Sequence, residues 1–148
     1  MASTLLSLHY HLVFSTKCRE PFIHAKWRSR LHEYLGGSVN GLGGRTHAIG
    51  GTADHAHLLV ELRATHRLAD FLRELKKASS IWVHEEIGIR PFAWQEGYAA
   101  FTVSASGILK AQRYVQNQEE HHRARSYLEE LRIMLKRSGV SFDEKYLE

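Results

Sequence analysis

From Ser7 to Ser15 the chain alternates, with Tyr10, Leu12 and Phe14 on one side and His9, His11 and Val13 on the other. This period of two predicts an opening strand. Pro21 then stands where a helix can begin, and Ile23, Trp27, Leu31 and Leu35 recur at helical spacing until Gly36 and Gly37. The pattern predicts an amphipathic helix that stops at that glycine pair. Gly36 to Gly44 holds five glycines among nine residues, which predicts a mobile loop joining two parts of one core. Alternation resumes over Arg45–Gly51 and His55–Arg63, and Gly51-Thr52-Ala53-Asp54 between them reads as a turn. Two strands so connected are expected to pair antiparallel.

From Arg67 to Ile87 the residues Leu68, Phe71, Leu72, Leu75, Ala78, Ile81 and Trp82 fall on one helical stripe that ends at Gly88. They predict the longest helix of the chain. Pro91 breaks the chain, Phe92–Gln95 suits a short edge strand, and Tyr98–Ser104 alternates as a last strand. A helix over Ser106–Gln118 follows. Past His121 and His122, the spacing of Tyr127, Leu128, Leu131, Met134 and Leu135 predicts a final helix with a charged outer face. The order strand, helix, strand, strand, helix, strand predicts an α+β fold, a ferredoxin-like (RRM-like) antiparallel sheet with helices on one face and further C-terminal helices. One domain is expected over residues 1–148.

Composition narrows the class. At 148 residues, 43% hydrophobic and 24% charged, the chain has the balance of a folded globular domain and not of a disordered or collagenous one. No apolar run nears the roughly 18 residues of a membrane span, and the N-terminus lacks a signal peptide's basic-then-apolar order. A cytoplasmic location is the expectation, with no membrane partner. The single cysteine, Cys18, allows neither an internal disulfide nor a thiolate zinc cage, so any metal must be held by histidine, carboxylate or amide oxygen. The net charge of +4 favours a polyanionic partner. Eleven histidines are an excess that asks for an explanation.

Spacing singles out two of them. In Asp54-His55-Ala56-His57 the histidines are two apart on an expected strand, so both imidazoles project from one face and can converge on one divalent ion. Taken alone the pair reads equally as hydrogen-bonded structural histidines. The second signal is Arg113-Tyr114-Val115-Gln116-Asn117-Gln118-Glu119-Glu120-His121-His122. On a helix Tyr114 and Gln118 are one turn apart, which sets a phenol beside an amide oxygen. A phenol with an ordinary pKa of about 10 becomes a nucleophile once a base or metal helps remove its proton. A lone helical tyrosine also suits half-buried packing.

These residues resemble the single-tyrosine HUH transposases, the insertion-sequence and REP-associated tyrosine transposase group, over nearly the whole chain. The matching stretches are Tyr10-His11-Leu12-Val13-Phe14-Ser15-Thr16-Lys17 with Arg19 and Pro21, Gly51 to Val60, and Leu75-Lys76-Lys77-Ala78-Ser79-Ser80 with Trp82. Trp94-Gln95-Glu96-Gly97-Tyr98 with Phe101 to Ser104, and Tyr114 to His122, complete them in the family's order. Ala56 departs from the bulkier residue usual between the two histidines, a change expected to alter packing and not to remove the site.

The resemblance implies a metal-dependent endonuclease and strand transferase that cleaves and rejoins single-stranded DNA, in transposition or in REP-hairpin processing. Tyr114 would attack a phosphodiester, form a 5′-phosphotyrosine link and free a 3′-hydroxyl. His55, His57 and Gln118 would hold Mg2+ or Mn2+, although imidazole ligands by themselves point sooner to zinc or manganese than to magnesium. Lys17, Arg19, Lys76 and Lys77 are expected at phosphates, and Trp94 and Tyr98 against unpaired bases. Phe101 and Trp82 suit core packing. Asp54, His121 and His122 are candidate outer partners that orient the ligands. A homodimer is expected, with a monomer as the other form in the family, and Gly36–Gly44 and Ser104–Gly107 are candidate hinges for the tyrosine helix. The alternative is a non-catalytic, domesticated nucleic-acid-binding module on the same ferredoxin-like sheet. A phosphohydrolase that uses water as nucleophile would not require Tyr114.

Overall fold

The alternation of the two histidine-bearing strands sends their odd and even residues into two different layers, and the molecule is organised around that division. In the computed structural model, which describes residues 3–147, β1 (His9–Ser15) and β3 (His55–Glu61) lie side by side at the centre of a four-stranded sheet. β2 (Arg45–Gly51) flanks β3 and β4 (Ala99–Val103) flanks β1, giving the order β2-β3-β1-β4 with every neighbouring pair antiparallel. In the central register Tyr10 is opposite Val60, Leu12 opposite Leu58 and Val13 opposite His57. This is the ferredoxin-like sheet expected from the element order.

One face of the sheet carries Leu12, Phe14, Ala56, Leu58 and Val60, all buried. It packs against α1 (Ala25–Gly41) and α2 (Leu68–Trp82), which supply Trp27, Leu31, Leu35, Val39, Phe71, Leu72 and Leu75. Truncating one of these fully buried leucines to alanine costs about 2–5 kcal/mol. The opposite face carries His11, Val13, His55, His57 and Leu59 and lies beneath the C-terminal helices.

The expected glycine-rich loop is helix. α1 runs through Gly36 and Gly37 as far as Gly41 because Leu35 and Val39 continue the buried stripe of Trp27 and Leu31. That burial outweighs the cost of about 1 kcal/mol for each helical glycine. Gly36 also lets β2 approach: Thr46 Oγ1 donates to its carbonyl at 3.0 Å, and the Ile49 side chain lies against its Cα. The connection shrinks to residues 42–44, and Gly43, at φ +89°, takes the left-handed turn that glycine tolerates. A hinge at Gly36–Gly44 is therefore excluded through Gly41. The predicted edge strand at Phe92–Gln95 reduces to one bridge between Thr16 and Trp94.

The predicted Ser106–Gln118 helix is divided. A short 3-10 turn at Ala105–Gly107 leads into α3 (Ile108–Gln116), the backbone leaves helical geometry at Asn117, and α4 (Gln118–His121) follows. α5 (Tyr127–Arg137) begins at Ser126, whose side chain accepts the Glu129 N–H at 3.2 Å, a cap worth about 1 kcal/mol. Among the described residues no helix is long and apolar enough to cross a membrane.

Close approach of α3 to the sheet depends on Gly50. A Cβ placed there would lie 1.7 Å from the Val115 carbonyl oxygen, so Gly50→Ala forces α3 off β2. Its expected cost is about 2 kcal/mol or more, read as a lowered thermal midpoint. At Gly37, where a Cβ meets nothing within 4 Å on the exposed side of α1, alanine is expected to raise stability by about 0.5–1 kcal/mol. The opposite order of the two midpoints would refute the packing described here.

Candidate metal and nucleophile centre

β3 places His55 and His57 two residues apart on one face, and the sheet and C-terminal helices bury both side chains completely. Each imidazole then needs partners for two ring nitrogens. His55 Nδ1 donates to Asp54 Oδ1 at 2.7 Å, and Thr52 Oγ1 donates to the same carboxylate oxygen at 3.2 Å. With the proton on Nδ1, His55 Nε2 carries a lone pair. That lone pair faces Gln118 Oε1 at 3.2 Å and Glu130 Oε1 at 3.7 Å. The Gln118 amide is held with its oxygen inward because its Nε2 donates to the Tyr114 carbonyl at 3.2 Å. The His55 lone pair and the Gln118 and Glu130 oxygens thus face one another; in the metal-free protein His57 and His122 supply donors to these oxygens, and a cation would satisfy the same atoms.

His57 is arranged differently. Its Nε2 lies 2.8 Å from Glu130 Oε1, and a carboxylate only accepts, so Nε2 carries the proton. Nδ1 then accepts from His11 Nε2 at 2.7 Å. Burial lowers His57 to about 4 although the Glu130 hydrogen bond and charge pull it up, and burial lowers His11 to about 3, so both rings are neutral at pH 7.

The C-terminal segment supplies the rest. His122 Nε2 stands 3.1 Å from Gln118 Oε1 and 3.2 Å from Glu130 Oε1. Burial disfavours its imidazolium, but the hydrogen bond and charge of Glu130 outweigh this and raise its pKa. Tyr114 donates its hydroxyl to Glu130 Oε2. Burial first, and the adjacent carboxylate second, push the phenol well above the usual tyrosine range. Burial alone would raise Glu130, yet hydrogen bonds from His122, His57 and Tyr114 hold it well below the usual carboxylate range. Tyr127, its ring centroid 4.6 Å from that of His55, is pushed up to about 12 by burial.

The structure brings together His55, His57, Gln118 and Tyr114 from one chain, with Asp54 on His55 as expected. Tyr114 and Gln118 meet across the break at Asn117 and not on one continuous helix. The donor atoms of His55, His57, His122 and Glu130 all lie within 4.8 Å of one another, and imidazole nitrogens with carboxylate and amide oxygens suit a divalent transition ion. His121 stacks on the Tyr114 ring, 4.5 Å between centroids, outside this group.

Two residues expected on DNA are engaged elsewhere. Trp94 is 8% exposed, donates its Nε1–H to Ser79 Oγ at 2.8 Å, and meets Phe14 and Phe92 edge-on. Its ring is core and presents no face to a base. Lys76 is half-buried and donates to the Gln95 and Gly97 carbonyls at 2.6 and 2.7 Å, so it ties α2 to the segment before β4. Lys17, Arg19, Lys77 and Tyr98 are exposed.

Sequence reasoning missed Glu130 entirely and gave His122 only an outer role. The signal for Glu130 was present: it sits three residues after Tyr127 and one before Leu131, inside the apolar stripe of its helix, where a carboxylate requires a buried partner. Unforeseen, too, are Arg28, Arg123 and Arg125, which with the expected Arg19 line an adjoining cleft of about 420 Å³ beside His122 and Asp54.

Acidification is expected to weaken the metal-free fold. His57 and His11 bind protons in the unfolded chain below pH 6.5 but in the folded one only near 4 and 3. The unfolded state therefore gains protons as pH falls through that window, and stability declines with it. The depressed Glu130 and Asp54 carboxyls add loss of the same sign at lower pH. The raised His122 acts on the other side, its contribution complete below 6.5 and lost as pH rises through its folded value. A thermal midpoint flat from pH 6.5 to 4 would contradict these environments.

Comparisons with known proteins bear on the fold and the family. A family model described as Transposase IS200 like matches residues 4–118. The transposase for insertion sequence element IS200 of Salmonella typhimurium is 28% identical over 126 residues, covering 81% of this chain and 82% of that protein, and its Salmonella typhi counterpart matches equally. Among solved structures, a putative transposase from Deinococcus radiodurans superposes with a TM-score of 0.61 at 25% identity, over 80% of this chain and 96% of that one. A REP-associated tyrosine transposase bound to a REP hairpin shares the fold, with a TM-score of 0.55 at 12% identity over 78% of this chain and 70% of that one. A central four-stranded antiparallel sheet with its buried His-x-His pair, and a family model that spans most of its length, establish that the chain belongs to the IS200-like transposase family.

Proposed function

We propose that this transposase cleaves and rejoins single-stranded DNA through a covalent 5′-phosphotyrosine on Tyr114. The observation that carries the reading is the convergence of Tyr114 and the His55 lone pair on one buried carboxylate, Glu130. Tyr114 Oη would attack the scissile phosphorus, the P–O bond to the 3′ oxygen would break, and that oxygen would leave as a 3′-hydroxyl after gaining a proton. Glu130 Oε2 is placed to accept the phenolic proton, a transfer that requires the metal-free balance of a raised phenol and a depressed carboxylate to shift when ion and substrate bind. Reversal by a 3′-hydroxyl of another strand restores a phosphodiester and the free tyrosine, so no external energy source is consumed.

His55, His57 and Gln118, with Glu130 and His122 as additional donors, would hold the divalent ion, His57 through Nε2 once its proton has moved to Nδ1 and His11 Nε2 accepts from it. When bound, that ion would polarise the phosphate oxygen and stabilise the charge that develops on it. The nitrogen-rich donor set favours Mn2+ over Mg2+ in the proposed enzyme. Arg19, Arg123 and Arg125, at the mouth of the adjoining cleft, would hold flanking phosphates, with Lys17 and Lys77 further along the strand and Tyr98 stacked on a base. One chain supplies the complete donor set, which supports an active site that a homodimer need not share.

A single-stranded oligonucleotide with a cleavage-trapping modification, drawn from the flanking repeats of the element, tests the assignment. Wild-type protein is expected to form a denaturation-resistant adduct in Mn2+, and Tyr114→Phe to form none while binding the strand within about twofold. An undiminished adduct in Tyr114→Phe would overturn the assignment, and binding without any adduct in the wild type would favour the non-catalytic module. Glu130→Gln keeps the shape but loses the charge. It is expected to slow adduct formation by about 100-fold, the scale of general acid–base assistance, and to require more Mn2+; unchanged rate and metal dependence would remove Glu130 from the proposed chemistry.

A further inference from the structure

Three half-buried side chains at the far end of the sheet have no part in the chemistry above. His9 begins β1 directly opposite Glu61, which ends β3. His47 lies on β2 at the one irregularity of that ladder: Thr46 pairs with Val60 and Ala48 with Leu59, leaving His47 as the extra residue of a β-bulge. A bulge re-aims a side chain while bending and twisting its strand locally. Here it turns His47 to the face that also carries His9 and Glu61.

All three present their terminal atoms to one another. His47 Nε2 is 3.5 Å and His9 Nε2 3.8 Å from Glu61 Oε2, and the three donor atoms lie within 4.8 Å. His47 Nε2 is closed off from solvent yet makes no hydrogen bond. His9 Nδ1 is engaged by Ser7 Oγ at 3.3 Å, which fixes the ring with Nε2 toward the group. Arg45 is opposite Glu61 in the register, but among the described residues it forms no ion pair with that carboxylate. Ligand bonds of about 2.0–2.2 Å in a tetrahedral site place neighbouring donors about 3.4 Å apart, so both histidine–carboxylate distances, 3.5 and 3.8 Å, are close to those of a filled site, and the two histidine nitrogens, within 4.8 Å, need a side-chain adjustment of about 1 Å at most.

We propose that His9, His47 and Glu61 form a second divalent-metal site, a two-histidine, one-carboxylate site suited to zinc and separate from the His55 centre. Glu61 stands four residues beyond His57 on β3, about 13 Å of extended strand, so one ion cannot serve both. An ion held there ties β1, β2 and β3 together at the end of the sheet on which α3 rests. Gln112 of α3 donates to the carbonyl of His47 at 3.2 Å, so the same ion fixes the bulge that α3 grips. The fourth coordination position would fall to water on the exposed side of Glu61.

Zinc titration of tag-free, chelator-stripped full-length protein against a chromophoric chelator tests the site. The wild type is expected to take up two equivalents, His47→Ala/Glu61→Gln one, His55→Ala/His57→Ala one, and the combined variant none, with circular dichroism checking that each is folded. Retention of two equivalents by His47→Ala/Glu61→Gln, or loss of all zinc from His55→Ala/His57→Ala, would overturn the proposal. Should the variants fail to fold, zinc-edge anomalous diffraction from wild-type crystals decides: a peak within bonding distance of His47 Nε2 and Glu61 sustains the site, and no peak there overturns it.

Discussion

The Glu130 carboxylate is the interaction on which the arrangement of the histidine-bearing face depends. A charge this deeply placed, with its side chain 4% exposed, costs several kcal/mol unless it is paired and fully hydrogen-bonded. Glu130 meets that requirement with His57, His122 and the Tyr114 hydroxyl. These come from three separate elements, β3, the turn after α4, and α3, so satisfying one carboxylate fixes the relative positions of all of them. The same contact sets the charge states: it holds Tyr114 as a phenol and favours an imidazolium at His122, while burial leaves His57 neutral.

A second constraint is steric. α3 reaches the histidines only because β2 carries glycine at position 50, where the Val115 carbonyl occupies the space of a side chain. The sheet face beneath it is mixed, with Ala48, Leu59 and Val115 forming a small apolar cluster beside the buried imidazoles. That cluster anchors the helix, and the polar network orients it. On the other face α1 and α2 form the large apolar core that gives the sheet its stability, with the histidine-bearing strand β3 and its neighbour β1 at its centre.

Much of this was legible in the residue pattern. Alternation located β1, β2, β3 and β4 to within a residue or two, and the separation of His55 from His57 by one residue sufficed to put both on one face. The break of α1 at Gly36 was misread because propensity is local while Leu35 and Val39 are held by the core. Trp94 and Lys76 were misplaced for a related reason: an aromatic or basic side chain near a proposed DNA path looks the same in sequence whether it faces solvent or donates its hydrogen bonds inward, as these do to Ser79, Gln95 and Gly97.

What the sequence determined by itself was periodicity and spacing: the element order, the antiparallel pairing of the hairpin strands, and the shared face of the two histidines. These follow from the backbone repeat of strand and helix, which is a local property. The tertiary structure alone decided which acids and bases meet. Glu130 stands 73 residues from His57 in sequence yet 2.8 Å from it in space, and no periodicity encodes that distance. It arises because α5 turns its buried stripe toward the sheet and the one carboxylate in that stripe must find donors there.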